Sequence, residues 1–341
     1  MEFNKDIIAG DILSAIQKAH TGKLYYETLY EPATSAKYKN EFVFFIKPEA
    51  ILKNYPIKYQ DIVNLILTKI KEFKFLIKNI KVLSADYLKD NNIIAQHYGV
   101  INKIANDAKG QISESAKEEF EKTYNEKIEN VDALGGFEFL QKYPEFTPFT
   151  LNQMWKNVKN QRLASGTYCE KLIIDFDKVY LLNGFHPFQL AHFTEKGRLI
   201  VVFTLQSDIS WKEAREAFIG ATDPNQAKDG SLRKELLINK ENLGLPELSQ
   251  ARNGVHLSAG PVEALVELMR FSSDFSKKGT VKDYNDFQMG KLLDQHFNKQ
   301  QIDQILNNNH IVSQGKETSV FDITELADSE QSIKILKEFF N

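Results

Sequence analysis

The residues between Ala251 and Glu267, Ala251-Arg-Asn-Gly-Val-His-Leu-Ser-Ala-Gly-Pro-Val-Glu-Ala-Leu-Val-Glu267, bring a histidine, a hydroxyl and a carboxylate within reach of one another. His256 stands at the end of a short extended piece, just before a helix opened by Gly260 and Pro261. Proline suits a first helical position because it has no N–H to leave unsatisfied. Val262, Leu265, Val266 and Met269 form the apolar face of that helix. Glu267 flanks this face on the second turn, and helical side chains lean toward the N-terminus. Its carboxylate is therefore aimed back at the loop carrying Ser258 and His256. A histidine held on one ring nitrogen by a carboxylate presents the other as a fixed nucleophile. On these residues alone, a structural histidine at a strand end is the plainer reading and stays open.

A second loop, Gly220-Ala-Thr-Asp-Pro-Asn-Gln-Ala-Lys-Asp-Gly-Ser-Leu-Arg233, offers a hydroxyl, a guanidinium and a helix start together. Several common signatures are absent: the Gly-x-x-x-x-Gly-Lys-Ser/Thr phosphate loop, Gly-x-Gly-x-x-Gly, and His-Glu-x-x-His. His186 and His192 are six apart without an acidic third ligand nearby, and read as partly exposed structural histidines.

These groups must be positioned by a chain of 341 residues, about two domains' worth. Its 42% hydrophobic and 26% charged residues are ordinary globular values. The net charge of −3, from 43 Lys and Arg against 46 Asp and Glu, argues against a nucleic-acid footprint. Cys169 is the only cysteine, so neither a disulfide framework nor a Cys-rich zinc site is expected. The opening residues lack the basic-then-apolar pattern of a signal peptide. Phe42 to Ile46 and Leu199 to Phe203, the strongest apolar runs, are of strand length and too short to span a bilayer. The expectation is a soluble, cytoplasmic protein with no membrane or nucleic-acid partner.

Ile8, Ile12, Leu13 and Ile16 recur at helical spacing, as do Ile62, Leu65, Ile66, Ile70 and Phe73. Strands are expected over Glu41 to Lys47, Phe75 to Leu83 and Leu199 to Leu205, with a short helix from Trp211 to Ile219. Residues 102–159 are rich in Lys and Glu, with helices predicted over about 111–128 and 150–160. Leu172 to Leu182 alternates well enough for one or two strands, and the last seventy residues read as mixed helices.

Three separated motifs, Lys47-Pro-Glu49, Gly220-Ala-Thr-Asp-Pro…Gly230-Ser-Leu-Arg233 and Asn253-Gly-Val-His-Leu-Ser258, stand in the order of the nucleoside diphosphate kinase family, which this chain resembles in pieces at about 41–98 and 186–272. The resemblance implies that His256 is the phosphorylated nucleophile. Ser258 and Glu267 would orient it, the Glu lying eleven residues on as in the family. Lys47 would contact phosphate and sugar hydroxyl, Tyr98 would neighbour the reacting phosphate, and Thr222 and Arg233 would grip the outer phosphates. Asn253 would bind the ribose hydroxyl, and Phe188, in His186-Pro-Phe188, would stack on the base or else pack in the core. Nucleoside tri- and diphosphates would be the partners, with Mg²⁺ held mainly by their phosphates.

The chain also departs from the family pattern. Arg215 stands seven residues before Thr222 where the family arginine stands six, and Glu216 occupies the aligned place, so a one-residue bulge would be needed to restore the contact. Ala259 replaces the family's Asp, and about ten extra residues precede Asn253. The resemblance implies an α+β fold, a ferredoxin-like βαββαβ antiparallel sheet with helices covering one face. The expected organisation is an N-terminal extension over 1–40, a catalytic domain over 41–99 and 185–275, a mainly helical insertion over 100–184, and a C-terminal extension over 276–341. The implied activity is ping-pong transfer of a γ-phosphate through phospho-His256. The alternatives are a catalytically weakened nucleotide-binding or scaffold protein, and a transferase that passes the same phosphohistidine to another acceptor. Asp229 in place of the family's proline, together with the lengthened loop, points to a homodimer rather than a hexamer.

Overall fold

Residues 40–46 and 199–207 are apolar at successive rather than alternate positions, the pattern of strands buried on both faces. Both are buried throughout in the structure, a computed structural model that describes residues 4–32, 37–313 and 315–340. The chain is a mixed α+β protein that divides into two compact units, one of residues 1–87 and 196–341 and the other of residues 88–195.

The first unit is built on a five-stranded sheet in the order 26–30, 76–84, 199–207, 40–46, 255–257, every neighbouring pair antiparallel. Helices cover both faces of this sheet, not one. The alternation of a strand explains why: Phe42, Phe44 and Ile46 enter a core with the helices Lys5–His20 and Tyr59–Glu72. Phe45 points the opposite way, toward Phe271 of the helix Pro261–Ser272. The strand Tyr26–Tyr30 was not foreseen, and it closes the sheet edge at 76–84. Its polar Glu27 and Thr28 and its half-buried pattern give it no apolar signature in the sequence.

The N- and C-terminal segments, expected as extensions, belong to this same unit. Hydrogen bonds pin the C-terminal one: Asn40 Oδ1 accepts from the Ser329 backbone N–H at 3.0 Å, and Asp328 Oδ1 accepts from the Trp211 N–H at 2.8 Å. Buried Glu41 accepts from Lys78 at 2.9 Å and from the Gln288 N–H at 3.0 Å. A carboxylate so deep in a sheet persists only because both oxygens are hydrogen-bonded.

In the unit of residues 88–195 helices outweigh strands, but they are not the whole of it. It carries a four-stranded sheet in the order 133–135, 177–182, 167–174, 161–164 beside its helices. Two of these strands have three and four residues, too short to set a period that competes with the surrounding Lys- and Glu-rich helical spacing. The boundaries fall at 87/88 and 195/196, against the expected 100 and 184. His186 and His192 are buried rather than partly exposed. His186 is bonded through Nδ1 to Gln189 Oε1 and through Nε2 to Asn102 Oδ1, both at 3.0 Å.

Candidate active site

The strand Val255–Leu257 is short, and its place is fixed by pairing with residues 44–46, which sets His256 opposite Phe45. The imidazole stacks on the Phe45 ring, with centroids 4.4 Å apart and planes 18° from parallel. Gly254 turns the chain into this strand at a φ of +82°, in the left-handed region that favours glycine. A Cβ there would also meet Leu236 Cδ1 at 2.7 Å. Glu49 Oε1 accepts from the Gly254 N–H at 2.9 Å, and the Lys47 N–H donates to the Gly254 carbonyl at 2.9 Å. The Lys47-Pro-Glu49 motif thus clamps the turn before His256 from both sides.

The helix Pro261–Ser272 delivers Glu267 as its spacing demands. Glu267 Oε1 lies 2.8 Å from His256 Nε2, and Glu267 Oε2 accepts from Ser258 Oγ at 2.6 Å. Ser258 Oγ in turn accepts from the Val43 N–H at 3.0 Å. An ionised carboxylate can only accept, so Nε2 carries the ring proton and Nδ1 is the basic nitrogen. Burial lowers the His256 pKa from its ordinary value; Glu267 opposes the fall, and the charges of Lys47 and Arg215 add to it. The ring is therefore neutral at physiological pH, yet its side chain remains 16% exposed.

Around it stand three cations. Lys47 Nζ donates to Asn253 Oδ1 at 2.8 Å; burial lowers this ammonium to about 8, with Glu49 opposing and Arg233 adding to the drop. Asn253 Nδ2 donates onward to the Thr222 carbonyl at 2.9 Å. Arg233, also buried, donates to the Gly220 carbonyl at 2.9 Å and the Val255 carbonyl at 3.1 Å. These bonds tie the 220–233 loop to the histidine strand. The Thr222 side chain is exposed at the loop surface.

Arg215 reaches the site as well. Residues Ala214–Ile219 form a π-helical turn, with the Gly220 N–H donating to the Arg215 carbonyl at 3.2 Å. A π-turn holds one residue more than an α-turn, and so absorbs the extra residue between Arg215 and Thr222. Arg215 Nη1 donates to the Leu257 carbonyl at 2.5 Å, directly after His256. Glu216, at the aligned place, is instead largely exposed and faces Lys212 across 4.0 Å.

His256, Ser258, Glu267, Lys47, Asn253, Arg233 and Arg215 are thus joined in one network within the first unit. Tyr98 and Phe188 belong to the other unit. Tyr98 lies between the helices Ile93–His97 and Gly99–Asn106, its ring 6.2 Å from that of His186. Phe188 sits in the helix His186–Thr194, its ring 5.9 Å from Phe149. The role of Glu49 went unread in the sequence, although the Lys-Pro-Glu motif contains it. Glu263 and Arg270 also went unread; both share the helix of Glu267, and the four-residue step from Glu263 to Glu267 was visible.

As for a metal, the carboxylates of Glu49 and Glu267 are already engaged by the Gly254 N–H and by His256 and Ser258. That donor set suits a cation brought by a ligand's own oxygens better than one caged by protein carboxylates. No helix among the described residues is long and apolar enough to cross a membrane.

No family model matches the chain, and no curated protein matches its sequence. Among solved structures it is similar to an NDP kinase from Pyrobaculum aerophilum, at 16% identity and a TM-score of 0.31, the match covering 71% of this chain and 99% of that one. At such values the geometry of the site, not the likeness, carries the functional argument.

Proposed function

We propose that this chain is a nucleoside diphosphate kinase that moves the γ-phosphate of a nucleoside triphosphate to a nucleoside diphosphate through phospho-His256. The observation that carries the reading is the Ser258–Glu267–His256 relay, with Glu267 on Nε2 of a partly exposed, neutral imidazole. A site that only bound nucleotide would have no need of an oriented nucleophile. The order of the strands 76–84, 199–207, 40–46 and 255–257, with helices in the connections after 40–46 and 199–207, supports the βαββαβ arrangement on which such a site is built.

In the first half-reaction, Nδ1 attacks the γ-phosphorus. The bond from that phosphorus to the β–γ bridging oxygen breaks, and the diphosphate leaves with the electron pair. The imidazole keeps its Nε2 proton, and Glu267 stabilises the positive charge that develops on the ring. In the second half, a terminal oxygen of another diphosphate attacks the phosphorus and Nδ1 leaves. Lys47, Arg215 and Arg233 supply positive charge where the phosphates would lie, and transfer of this kind rests on positioning and charge stabilisation. Mg²⁺ on the nucleotide oxygens would add further charge neutralisation. Thr222 would bind outer phosphate and Asn253 the ribose hydroxyl. The protein would act as a cytoplasmic homodimer.

One observation favours a second reading, a nucleotide-binding protein with weakened turnover: Arg233 spends two of its donors on backbone carbonyls. Incubation with γ-labelled ATP and Mg²⁺, followed by a chase with a different diphosphate, decides between them. Acid-labile label that the chase removes supports the kinase; protein that binds nucleotide and takes up no label supports the alternative.

A further inference from the structure

Glu267 holds the imidazole of His256 by one edge, and a second side chain covers its face. Phe45 and His256 stand opposite each other in the antiparallel pairing of 44–46 with 255–257, so their side chains leave the sheet on the same side. The two ring centroids are 4.4 Å apart and the planes lie within 18° of parallel. Phe45 is itself held in place. Its strand is paired on both sides, opposite Val202 and His256, its side chain is fully buried, and the Phe271 ring backs it at 5.4 Å. Glu267 and Phe271 stand four apart on one helix, where residues share a face. A single helix face thus grips the edge of the imidazole directly and its plane through Phe45.

Building on the kinase reading above, we propose that Phe45 is a positioning residue of His256, whose ring fixes the plane of the imidazole and stabilises the positive charge that phosphorylation puts there. One hydrogen bond at Nε2 leaves the imidazole able to tilt, because acceptor geometry at an sp² oxygen is broad. The stack removes that tilt and so fixes the direction of the Nδ1 lone pair. The charge follows from the atoms. As the bond from Nδ1 to the γ-phosphorus forms and the bond to the bridging oxygen breaks, Nε2 keeps its proton and the ring becomes cationic. The face of an aromatic ring is negative and attracts a cation, most strongly where water is excluded. The neutral imidazole gains mainly dispersion from the same contact. The attraction therefore grows along the reaction, which is the condition for speeding a step rather than only tightening a complex. Glu267 and Phe45 act on one charge from two directions, the first in the ring plane and the second across it.

The test keeps the shape of Phe45 and drains its face. Phenylalanines with one, three and five ring fluorines, placed at position 45 alone in the full-length chain, withdraw progressively more electron density from the ring. The proton affinity of His256, followed by ¹⁵N NMR and assigned against His256→Gln, should fall by roughly three- to thirtyfold from no fluorine to five. The rate of phosphohistidine formation, measured by rapid quench, should fall in step. Glu267, Lys47 and Arg215 also bear on the charge of the imidazole, and they are common to every protein in the series. A side chain that only filled space would leave both readouts flat. Phe45→Leu, which removes the aromatic face altogether, should fall at least as far as the pentafluoro protein in both. In protein that takes up label, a flat series in either readout, or Phe45→Leu with wild-type values, overturns the proposal. Protein whose proton affinity follows the fluorines but which takes up no label sustains the action of Phe45 on the ring charge and counts against the kinase reading instead.

Discussion

Glu267 divides its two oxygens between His256 Nε2, at 2.8 Å, and Ser258 Oγ, at 2.6 Å. One oxygen fixes the ring's tautomer and the other fixes the carboxylate, so the imidazole is oriented by a group that is itself oriented. Glu267→Gln keeps the shape and removes the charge. An amide can still reach Nε2, but it no longer balances an imidazole that becomes positive as the phosphorus–nitrogen bond forms. The expected loss is about ten- to a thousand-fold in the rate of phosphohistidine formation, with an unchanged circular dichroism spectrum. Rapid-quench labelling measures it, and a wild-type rate would make Glu267 a packing residue.

His256→Ala should abolish label incorporation and phosphate transfer together, while nucleotide binding, which the proposed function assigns to Lys47, Arg233 and Asn253, should be largely kept. The wild-type label should be acid-labile and alkali-stable, as a phosphoramidate is. Peptide mapping of the labelled protein checks the position, and label on any other residue would refute the mechanism.

Much of this site was legible because it is written in helical spacing. Glu267 follows His256 by eleven residues, and Pro261 fixes where the helix begins, so the carboxylate's aim follows from the sequence. The position of Arg215 could not: seven residues before Thr222 it falls one place off the family pattern, and the π-turn that absorbs the difference has no signature in side-chain types. The strand 26–30 escaped because half-buried polar positions lack a period. The sheet of the second unit escaped because strands of three and four residues fall below the length over which alternation can be told from chance. Glu49 illustrates a different limit. Its partner is the backbone N–H of Gly254, and a contact to backbone two hundred residues away leaves no mark on composition or spacing.

Arg233→Ala should affect stability and binding at once. The guanidinium is buried and donates to the carbonyls of Gly220 and Val255, so its removal leaves two acceptors unsatisfied and unties the 220–233 loop from the histidine strand. Each lost charge-assisted bond is typically worth about 1.5–3 kcal/mol. The variant should unfold at lower denaturant concentration and bind ADP more weakly. A variant with wild-type stability and weakened binding would mean that the carbonyl bonds are dispensable and that the side chain acts on phosphate alone.

Lys47 makes a prediction about pH. In the unfolded chain it is an ordinary lysine, protonated up to about 10.5, whereas burial in the folded protein lowers it to about 8. Between these values the unfolded chain holds a proton that the folded chain has released, so stability attributable to Lys47 rises with pH across the window. Below about 8 both states are protonated, and the full cost of a buried ammonium is present. Lys47→Met keeps the length of the side chain and removes the charge, which should make the variant the more stable protein at pH 7. That advantage should shrink steadily toward pH 10.5 as the wild type sheds its cost. Urea unfolding of both proteins at half-unit steps from pH 7 to 10.5 gives the difference directly, cancelling the tyrosines and lysines that titrate in both. A difference that stays constant over the range would mean that Lys47 keeps its ordinary affinity for protons, and that Asn253 and Glu49 fully offset its burial.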